Sequence, residues 1–576
     1  MENKKGKINK ILNSKYFEVI LSILINMIFF LACHILFTPQ YEQVDDFIIM
    51  TLISKADGMY TIYGVQIHPI ICAIIILLYK TGININWYTI FLLAMQFISF
   101  TIIGTIFIKK NKTLGIPIYI VFVLAIYTKM LIYIQYTTVS MLCIASGFLI
   151  LIYYMRNIKN TSKVSLILAN IMIAVGAMIR FSTILIFIPF AFIYFIFKLI
   201  KDRDFKVIKI GLIITLSILL VYISFNIIYN INPTYKEFLK FHDSRTYLHD
   251  YKKISYYEYK DIFDSVGWSG NDRDAFWGYL YGDEETYSIK NLEKIKEGVL
   301  QKKDISDLNI KARTTLIEFI NCLKKDKYKY IFLLSVMLLI FNDTFVIIKN
   351  LKDKSENRDD NIKFGYINLI FVIMVLLHCL FLFLDRPMFR VIISIYILGI
   401  MMLMYEFLEN FNLKKIFKYI FVIAVFAVSL LEIKKSTEIA RFYYKEKYSV
   451  YKEIIEYTSS HKENAYLYTL SMHDRFLAYS IYEKIQENQF SNLRALGDWD
   501  MYTENYYYFK KIYDIDNLMK SLIQKENVYL ISGNVIWRED IEIVKEYIEE
   551  NYSIDVDAEI IKEFKNDIKI YKLKEI

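Results

Sequence analysis

The sequence predicts a mainly α-helical, polytopic membrane protein that ends in a small extracytoplasmic α/β domain. Hydrophobic residues make up 55% of its 576 residues, and the mean hydropathy is +0.32, a composition typical of chains with many membrane spans. The apolar residues form runs close to the ~20 residues that cross a bilayer as a helix. Only six prolines and eighteen glycines interrupt the chain, which favours long helices over turn-rich β-structure.

Eleven apolar runs are predicted to span the membrane. The first follows residues 1–15, which carry five lysines. Its length, without a small-residue cleavage site, predicts an uncleaved span with a cytoplasmic N-terminus. The eleven predicted spans are residues 17–37, 88–108, 114–133, 137–155, 164–179, 182–200, 208–229, 329–348, 364–384, 388–408 and 416–433.

The charged connections between these spans predict their orientation. Basic connections prefer the cytoplasmic side, and an odd number of spans then places the C-terminal tail outside the cell. The connections predicted to be cytoplasmic are KKNK at 109–112, Arg156 with Lys159 and Lys163, KDRDFK at 201–206, KNLKDK at 349–354 and NLKK at 412–415.

One more apolar run, IHPIICAIIILLYK at residues 67–80, is predicted not to cross the membrane. It is short, at about 13 residues, and as a span it would move the basic connections that follow to the outer side. We therefore predict a helix in the outer interface. Residues 44–58 are predicted to form a second such helix, with Asp45 and Asp46 at its N-terminal end, where the helix dipole favours negative charge.

Two long polar regions complete the predicted organisation. Residues 230–328 form an outer loop far longer than an ordinary connection, and residues 436–576 alternate strand-like and helical runs before a final hairpin. We predict a membrane domain at 1–435, which includes outer loops 38–87 and 230–328, and an extracytoplasmic α/β domain at 436–576. The strand-like runs are AYLYTL, NVYLIS and IKIYKLK, and the helical runs are LMKSLIQK and EDIEIVKEYIEENY.

Several classes of function find no support in the sequence. The net charge of +9 is spread over lysine-rich connections, which indicates bilayer orientation rather than nucleic-acid binding. The five cysteines include no C-x-x-C pair, so neither a disulfide framework nor a zinc site is predicted. No phosphate-binding glycine loop or nucleophile elbow occurs. The energy for a group transfer would therefore have to come with the donor molecule.

Asp45 and Asp46 are the first candidate functional residues. A carboxylate held just outside the bilayer could act as the general base for an acceptor hydroxyl, or it could hold a divalent cation on a phosphate. The alternative is structural, because an acidic residue also caps the N-terminus of a helix while its neighbour is solvated.

The order of these features resembles the GT-C glycosyltransferases. These use polyprenyl-phosphate sugars and include protein O-mannosyltransferases and the aminoarabinose transferase of lipid A. DDFIIMTLISKADG followed by HPIICAIIILLYKTGINI, within residues 40–86, is similar to that family's acidic pair, small-residue-glycine turn and proline-containing interfacial helix. The topology to about residue 435 is similar as well. Two departures leave the substrate open, since Asp-Asp stands where Asp-Glu is common and Pro69 where Pro-Pro is common.

The resemblance implies that basic residues at outer turns contact the phosphate of the lipid donor. Arg180, between the fifth and sixth predicted spans, is the first candidate, with snorkelling to headgroups as the alternative. Arg386 and Arg390 lie four apart in LDRPMFRVIIS, which predicts that they share one face of a helix start. Guanidinium groups bind phosphate bidentately, and pairing with Asp385 is the structural alternative.

Two further residues are candidate substrate contacts. His68 heads the second interfacial helix, and Arg245 lies in FHDSRTYLHDY of the long outer loop, where the spacing of the acidic and histidine side chains permits a metal site. Residues 267–282, GWSGNDRDAFWGYLYG, suit a platform on which sugar rings stack. An ordinary capped turn is the alternative reading of that segment.

We hypothesise a multi-pass glycosyltransferase of the cell membrane. Asp45 or Asp46 would deprotonate or orient an acceptor hydroxyl on the outer face, while Arg180 with Arg386 or Arg390 would hold the donor's phosphate. The partners would be a polyprenyl-phosphate-linked sugar, a bacterial cell-envelope glycan, lipid or protein as acceptor, and the membrane lipids. No cofactor is required by the sequence, and a divalent cation with Asp46 among its ligands is the one candidate.

Two alternatives stay open. The first is a transporter or flippase for lipid-linked saccharides, which predicts charged or polar residues deep within several spans. The second is a non-catalytic protein of cell-envelope assembly, with the C-terminal domain as its binding part.

Overall fold

A computed structural model describes residues 16–158, 161–203, 205–251, 254–302, 307–353, 358–409, 423–424, 426–431, 448–533 and 539–576. The protein is mainly helical with a small C-terminal sheet, as the sequence predicts. It divides into two compact units of three segments each. The helical unit is Met1–Glu42, Thr89–Ser224 and Lys311–Tyr443, and the mixed unit is Gln43–Tyr88, Phe225–Ile310 and Tyr444–Ile576.

Nine helices in the described residues are long and apolar enough to cross a membrane, which indicates a polytopic membrane protein. The predicted span at 164–179 is the shorter helix Lys163–Ile179. The predicted span at 416–433 falls mostly outside the described residues, as do residues 1–15. The nine helices are Phe17–Leu36, Trp87–Lys110, Lys112–Ile132, Tyr136–Arg156, Thr183–Asp202, Lys206–Ile231, Tyr328–Ile348, Asp359–Phe383 and Phe389–Glu409.

Two of these helices form the centre of the helical unit. Tyr136–Arg156 and Phe389–Glu409 are almost entirely buried, whereas only about a fifth of Phe17–Leu36 and of Lys206–Ile231 is buried. The exposed side chains are mainly apolar, and such side chains are stable against lipid tails. Tyr136–Arg156 packs closely on Lys163–Ile179, because a Cβ at Gly176 would lie 2.7 Å from the carbonyl oxygen of Ser140.

Ion pairs gather four helix ends at one end of the helical unit. Arg156, at the end of Tyr136–Arg156, pairs with Glu406 and Glu409 near the end of Phe389–Glu409. Lys110 and Lys363 approach Glu409 with Nζ to carboxylate oxygen distances of 2.8 and 3.4 Å. The connections predicted to be cytoplasmic at 109–112 and 156–163 therefore begin at the same end of this unit.

A short parallel pairing lies in the helical unit between segments that follow two of its helices. Strand β1, Gln40–Tyr41, pairs with β2, Tyr133–Ile134. The helix Asp307–Lys324 begins in the mixed unit and continues into the helical unit, because the boundary between the units falls after Ile310.

The sheet of the mixed unit has five strands in the order β4-β3-β5-β7-β6. The strands are β3 Ala465–Tyr468, β4 Leu493–Ala495, β5 Val528–Ser532, β6 Val556–Glu563 and β7 Lys569–Glu575. β4, β3 and β5 are parallel, and β6 with β7 forms the antiparallel hairpin that the sequence predicts. All three predicted strands are present as β3, β5 and β7.

The helices of the mixed unit come from all three of its segments. They are Val44–Ser54, Pro69–Tyr79, Pro233–Arg245, Lys260–Asp264, Gly270–Trp277, Ile289–Gln301, Ser449–Ser460, Glu504–Ile512, Leu518–Gln524 and Asp540–Tyr552, with a π-helical turn at Thr246–Tyr251 and a 3₁₀ segment at Leu470–Ala478. The last two of the α-helices match the helical runs predicted from the sequence.

Most of the loops at 38–87 and 230–328 belongs to one unit with the C-terminal region, whereas the sequence predicts that these loops belong to the membrane domain. Asp283, in the loop 230–328, accepts hydrogen bonds from Tyr547 Oη at 2.9 Å, Tyr552 Oη at 2.5 Å and Asn517 Nδ2 at 2.7 Å. Because these partners lie more than two hundred positions away along the chain, the linear pattern could not show the pairing.

The two helices predicted to lie in the interface differ in exposure. Val44–Ser54 is buried along nearly its whole length, because Phe47 packs on Tyr479 and Phe490 from the C-terminal segment. It therefore does not present the lipid-facing side that an interfacial helix has. Pro69–Tyr79 exposes Ile70, Ile74 and Leu77 along one apolar face, and its place in the interface stays a prediction.

Candidate functional site

A cavity of about 70 Å³ in the mixed unit is the candidate site. It lies where β3 and β4 end. Parallel neighbours end at the same sheet edge, and the loops that follow them form ligand sites in many α/β folds. The lining residues are Val44, Asp45, Tyr279, Tyr468, Thr469, Leu470, His473, Arg475, Ala495, Gly497, Asp498 and Trp499.

The two adjacent aspartates have different environments. Asp45 lines the cavity, on the first turn of Val44–Ser54, where the helix dipole favours its negative charge. Asp46 is fully buried, and its Oδ1 accepts a hydrogen bond from Tyr88 Oη at 2.8 Å. Of the pair, Asp45 is thus the one that a ligand in the cavity could contact.

Arg475 and His473 reach the cavity from the 3₁₀ segment Leu470–Ala478, which follows β3. The guanidinium of Arg475 lies over the ring of Tyr468, 4.6 Å from its centroid, and its Nη1 donates to the carbonyl oxygen of Met472 at 3.2 Å. His473 is exposed. Together these side chains give the cavity a positive and a titratable group beside Asp45.

Asp498 supplies a second carboxyl to the cavity. Burial, with the nearby charge of Asp500, raises the pKa of Asp498 to about 7, although Arg475 and Arg245 act in the opposite direction. A carboxyl that titrates near neutral pH can hold or release a proton there, which is the property of a group that takes part in acid–base chemistry.

Close backbone contact fixes the loop that carries Asp498. A Cβ at Gly497 would lie 2.6 Å from the backbone nitrogen of Tyr281, so a larger residue does not fit. Tyr279 also lines the cavity, and its carbonyl oxygen lies beside Gly497. Its backbone is left-handed, with φ of 57°. This conformation is strained for a bulky side chain, and such strain is common in ligand sites.

A second, smaller cavity adjoins the first and shares Tyr468 and Arg475 with it. Asp57 lines this second cavity and accepts a hydrogen bond from Thr51 Oγ1 at 3.1 Å. Burial raises the pKa of Asp57 to about 6, against the positive charge of Arg494. Two carboxyls with elevated pKa values therefore flank Arg475.

Arg245, a predicted substrate contact, lies near this site and pairs with the carboxylate of Asp250. It is buried at the end of Pro233–Arg245, and its Nη2 lies 3.3 Å from Asp250 Oδ2. Its charge still lowers the pKa of Asp498, which places it within electrostatic range of the cavity. Direct contact of Arg245 with a substrate stays a prediction.

His68, another predicted substrate contact, caps a helix. Its Nδ1 accepts a hydrogen bond from the backbone N–H of Ile70 at 3.2 Å, and Pro69 follows at the first helical position. The side chain is 1% exposed and does not line the cavity beside Asp45. Helix capping accounts for the residue, as the preference for polar side chains at this position explains.

Arg180 belongs to the helical unit, where hydroxyl groups hold its guanidinium. It directly follows Lys163–Ile179 and donates to Tyr136 Oη at 2.5 Å, Thr137 Oγ1 at 2.8 Å and Ser182 Oγ at 2.9 Å. None of these partners is charged, so the positive charge of Arg180 is available to an anion.

The predicted geometry of Arg386 and Arg390 is wrong. The helix begins at Phe389, so Arg386 precedes it and the two arginines do not share a helical face. Pro387 explains the shift, because the residue before a proline avoids the helical conformation. Asp385 Oδ2 lies 3.0 Å from Lys311 Nζ, and its pairing with the arginines stays the structural alternative. Arg390 is buried, and the phosphate role of both arginines stays a prediction.

The described residues contain no group of three or more His, Cys, Asp or Glu side chains placed to hold a metal ion. In FHDSRTYLHDY, His249 packs on Tyr279 at 4.3 Å between ring centroids, and His242 stacks on Phe238. Asp46 thus belongs to no such group among the described residues.

No family model matches the chain, and a search of curated proteins returns no relative. The long apolar helices define the class as a membrane protein. Arg475 and Asp498, in the segments SMHDRF and LGDWDMY, were not predicted as site residues from the sequence. A usable signal existed for Arg475 alone, because SMHDRF follows the strand-like run AYLYTL and loops after parallel strands tend to hold ligands. LGDWDMY follows β4, which has no strand-like pattern.

Proposed function

We propose that this protein is an integral-membrane glycosyltransferase in which Asp45 takes the proton of an acceptor hydroxyl. The observation that carries the proposal is the position of Asp45 in a polar cavity with His473, Arg475 and Asp498. In the reaction, the acceptor oxygen forms a bond to the anomeric carbon of the sugar. The bond from that carbon to the phosphate oxygen breaks, and the polyprenyl phosphate leaves with the electron pair. A single displacement inverts the anomeric carbon.

The environments of the two aspartates support Asp45 over Asp46. A general base must come within about 3 Å of the proton that it removes, and Asp45 lines the cavity. Asp46 is buried and holds Tyr88 instead. We therefore assign Asp46 to positioning of the helix that carries Asp45.

The helical unit supplies the proposed contacts of the donor. Arg180 keeps its role as a candidate for the donor's phosphate, since its guanidinium is held by neutral hydroxyl groups and guanidinium binds phosphate well. Arg386 and Arg390 remain candidates for the same role. The location on the outer face of the cell membrane, with the N-terminus in the cytoplasm, belongs to the same proposal.

The transporter alternative receives less support from the spans. Polar side chains within them bond to neighbouring helices, as Asn26 does to the carbonyl oxygen of Phe97 at 2.8 Å and Asn342 to that of Leu403 at 3.2 Å. Such bonds join helices in membranes. They account for these residues without a transported substrate.

The proposal is tested by a transfer assay on the full-length protein in proteoliposomes. Short-chain polyprenyl-phosphate hexoses and pentoses serve as donors, a cell-envelope extract serves as acceptor, and the release of polyprenyl phosphate is measured. Asp45→Asn should lower turnover at least about 100-fold, since it removes the base. Asp46→Asn is the matched control, and it should keep most of the turnover because its amide oxygen can still accept from Tyr88.

Circular dichroism and size-exclusion elution would show that both variants fold. Wild-type turnover by folded Asp45→Asn protein contradicts the assignment of the base. A wild-type protein that releases no polyprenyl phosphate from any of these donors contradicts the proposed activity itself.

A further inference from the structure

Arg475 is a buried cation that faces two cavities. The residue is 7% exposed and lines both the cavity with Asp45 and the adjoining one with Asp57. Its Nη1 bonds to the carbonyl oxygen of Met472. That bond uses one of the five N–H donors of a guanidinium.

Among the described residues of the mixed unit, the other two buried arginines pair with carboxylates. Arg494 Nη2 lies 2.8 Å from Asp500 Oδ2, and Arg245 Nη2 lies 3.3 Å from Asp250 Oδ2. Within the part of the chain that the structure describes, no carboxylate oxygen lies within 4.0 Å of a guanidinium nitrogen of Arg475, which is the limit for an ion pair. A cation removed from water is unfavourable unless an anion accompanies it.

We infer that Arg475 binds an oxyanion, a phosphate or carboxylate group carried by one of the two transfer substrates, in the cavity beside Asp45. The inference rests on the proposed function for the identity of the molecule that carries the anion. The planar fork of a guanidinium donates two parallel hydrogen bonds to such a group, which fixes its orientation as well as its charge. Arg475 would thereby orient the substrate relative to Asp45.

Two of the acidic groups near this charge ionise less readily than ordinary aspartates. Burial raises the pKa of Asp498 to about 7 and that of Asp57 to about 6, so Asp498 is partly protonated at pH 7 and Asp57 at pH 6. The other charged or titratable groups around Arg475 are Asp45, Asp474, Asp500, Arg245, Arg494, His473, Tyr279, Tyr451, Tyr468 and Tyr479.

A bound anion would raise the pKa values of Asp57 and Asp498 further. Binding would therefore be accompanied by proton uptake and would strengthen as the pH falls from 8 to 6. Sulfate suits this measurement, because its own charge stays constant over that range.

The experiment measures anion binding to the full chain in detergent, through the fluorescence of Trp499, which lines the cavity. Inorganic phosphate and sulfate are titrated separately. Arg475→Gln should weaken binding at least about tenfold, since a charge-assisted bidentate contact is lost. Arg273→Gln is the matched control with unchanged binding, because Arg273 pairs with Asp274 and packs on Trp277 away from the cavity.

Arg475→Lys covers the case in which Arg475→Gln does not fold. It keeps the charge and removes the fork, so it should fold and still bind phosphate more weakly than the wild type. No saturable binding by the wild-type protein overturns the inference. Equal affinity in the wild type and in the folded Arg475 variants also overturns it.

Two further ligands identify which substrate carries the anion. A water-soluble sugar phosphate that binds more tightly than inorganic phosphate assigns the anion to a phosphorylated sugar of the acceptor. A short-chain polyprenyl phosphate that binds more tightly assigns it to the lipid donor. Either result supports the anion site, provided that Arg475→Gln removes the gain.

Asp45→Asn separates this inference from the proposed function. The variant should lose transfer but keep phosphate binding, since it removes a negative charge and leaves Arg475 in place. Loss of transfer without any anion binding in the wild type would overturn the anion site alone. Anion binding with full transfer by Asp45→Asn would overturn the role of Asp45 alone.

Discussion

Two clusters of buried charge, one in each unit, differ in whether their charges are enclosed by partners. In the helical unit, Arg156 is enclosed by Glu406 and Glu409, and two lysines complete the network. In the mixed unit, Arg475 and Asp498 line a cavity. Burial raises the pKa of Asp498 to about 7. The enclosed network joins helices, whereas the charges around the cavity keep donors and acceptors available to a ligand.

We infer from this difference that enclosed charges stabilise the fold, whereas the charges that line the cavity serve ligand binding and chemistry. Substitution of an enclosed charge should cost stability, and substitution of a cavity charge should cost function while stability stays level or improves. Three substitutions test this contrast through the free energy of unfolding.

The largest expected effect is at Glu406, the most buried member of the network. Glu406→Gln leaves Arg156, whose side chain is 8% exposed, with one carboxylate fewer, and should lower the free energy of unfolding by about 3 kcal/mol. Unfolding in a detergent and SDS titration, followed by circular dichroism, measures the change. Glu18→Gln is the control in the same unit, since Glu18 pairs with an exposed Lys112 at 3.5 Å and should lose under about 1 kcal/mol. Equal losses would show that the enclosed network adds no special stability.

A smaller effect is expected at Asp283, an enclosed carboxylate of the mixed unit. Asp283→Asn should lower the free energy of unfolding by about 2 kcal/mol, because it replaces an acceptor of hydrogen bonds from two tyrosines and Asn517. Hydrogen exchange in residues 278–288 should rise. The control is Asp264→Asn at an exposed position that bonds Tyr256, where little change is expected.

The ionisation of Asp283 should also make the free energy of unfolding depend on pH. Burial opposes its ionisation, but hydrogen bonds from Tyr552, the Glu285 N–H and Asn517 outweigh it and lower the pKa of Asp283 below the ordinary 3.8. Its ionised form therefore stabilises the fold above pH 3.8, and this stability is lost as the pH falls through the lowered pKa. The difference between wild type and Asp283→Asn should shrink in acid. A difference that stays constant down to pH 2 would contradict this account.

An effect of opposite sign is expected at Asp498, where substitution should stabilise the fold. Its pKa of about 7 in the fold exceeds the ordinary 3.8, so ionisation weakens the folded state increasingly as the pH rises from about 4 to about 7. Asp498→Asn should raise the unfolding temperature at pH 8, with no difference near pH 4. If Asp498→Asn unfolds at a lower temperature than the wild type at pH 8, Asp498 stabilises the fold as the enclosed charges do.

The sequence predicted elements whose signal is local. Apolar runs of span length, the strands β3, β5 and β7, and a helix with Asp45 and Asp46 on its first turn all follow from periodicity and composition. Strands β4 and β6 were missed. β4 is three residues long, and β6 exposes most of its side chains, so neither has a strong apolar pattern.

The candidate site was predictable only in part. Asp45 was predicted because an acidic pair at the start of a helix is a local sequence pattern. No local pattern distinguished Asp45 from Asp46. That distinction comes from Tyr88, forty-two positions away. Asp498 and Arg475 meet Asp45 through sheet topology, which one sequence does not reveal. Arg386 was misplaced although Pro387 carried the correct signal.

The close contact between the backbones of Gly497 and Tyr281 restricts how the cavity could be re-engineered. The neighbouring Gly282 meets the carbonyl oxygen of Leu496 in the same way, so insertions or bulkier residues at either glycine would push these two segments apart. A protein engineer who wants a new substrate preference should therefore vary the side chains at 44, 473 and 499, and leave both loop lengths untouched.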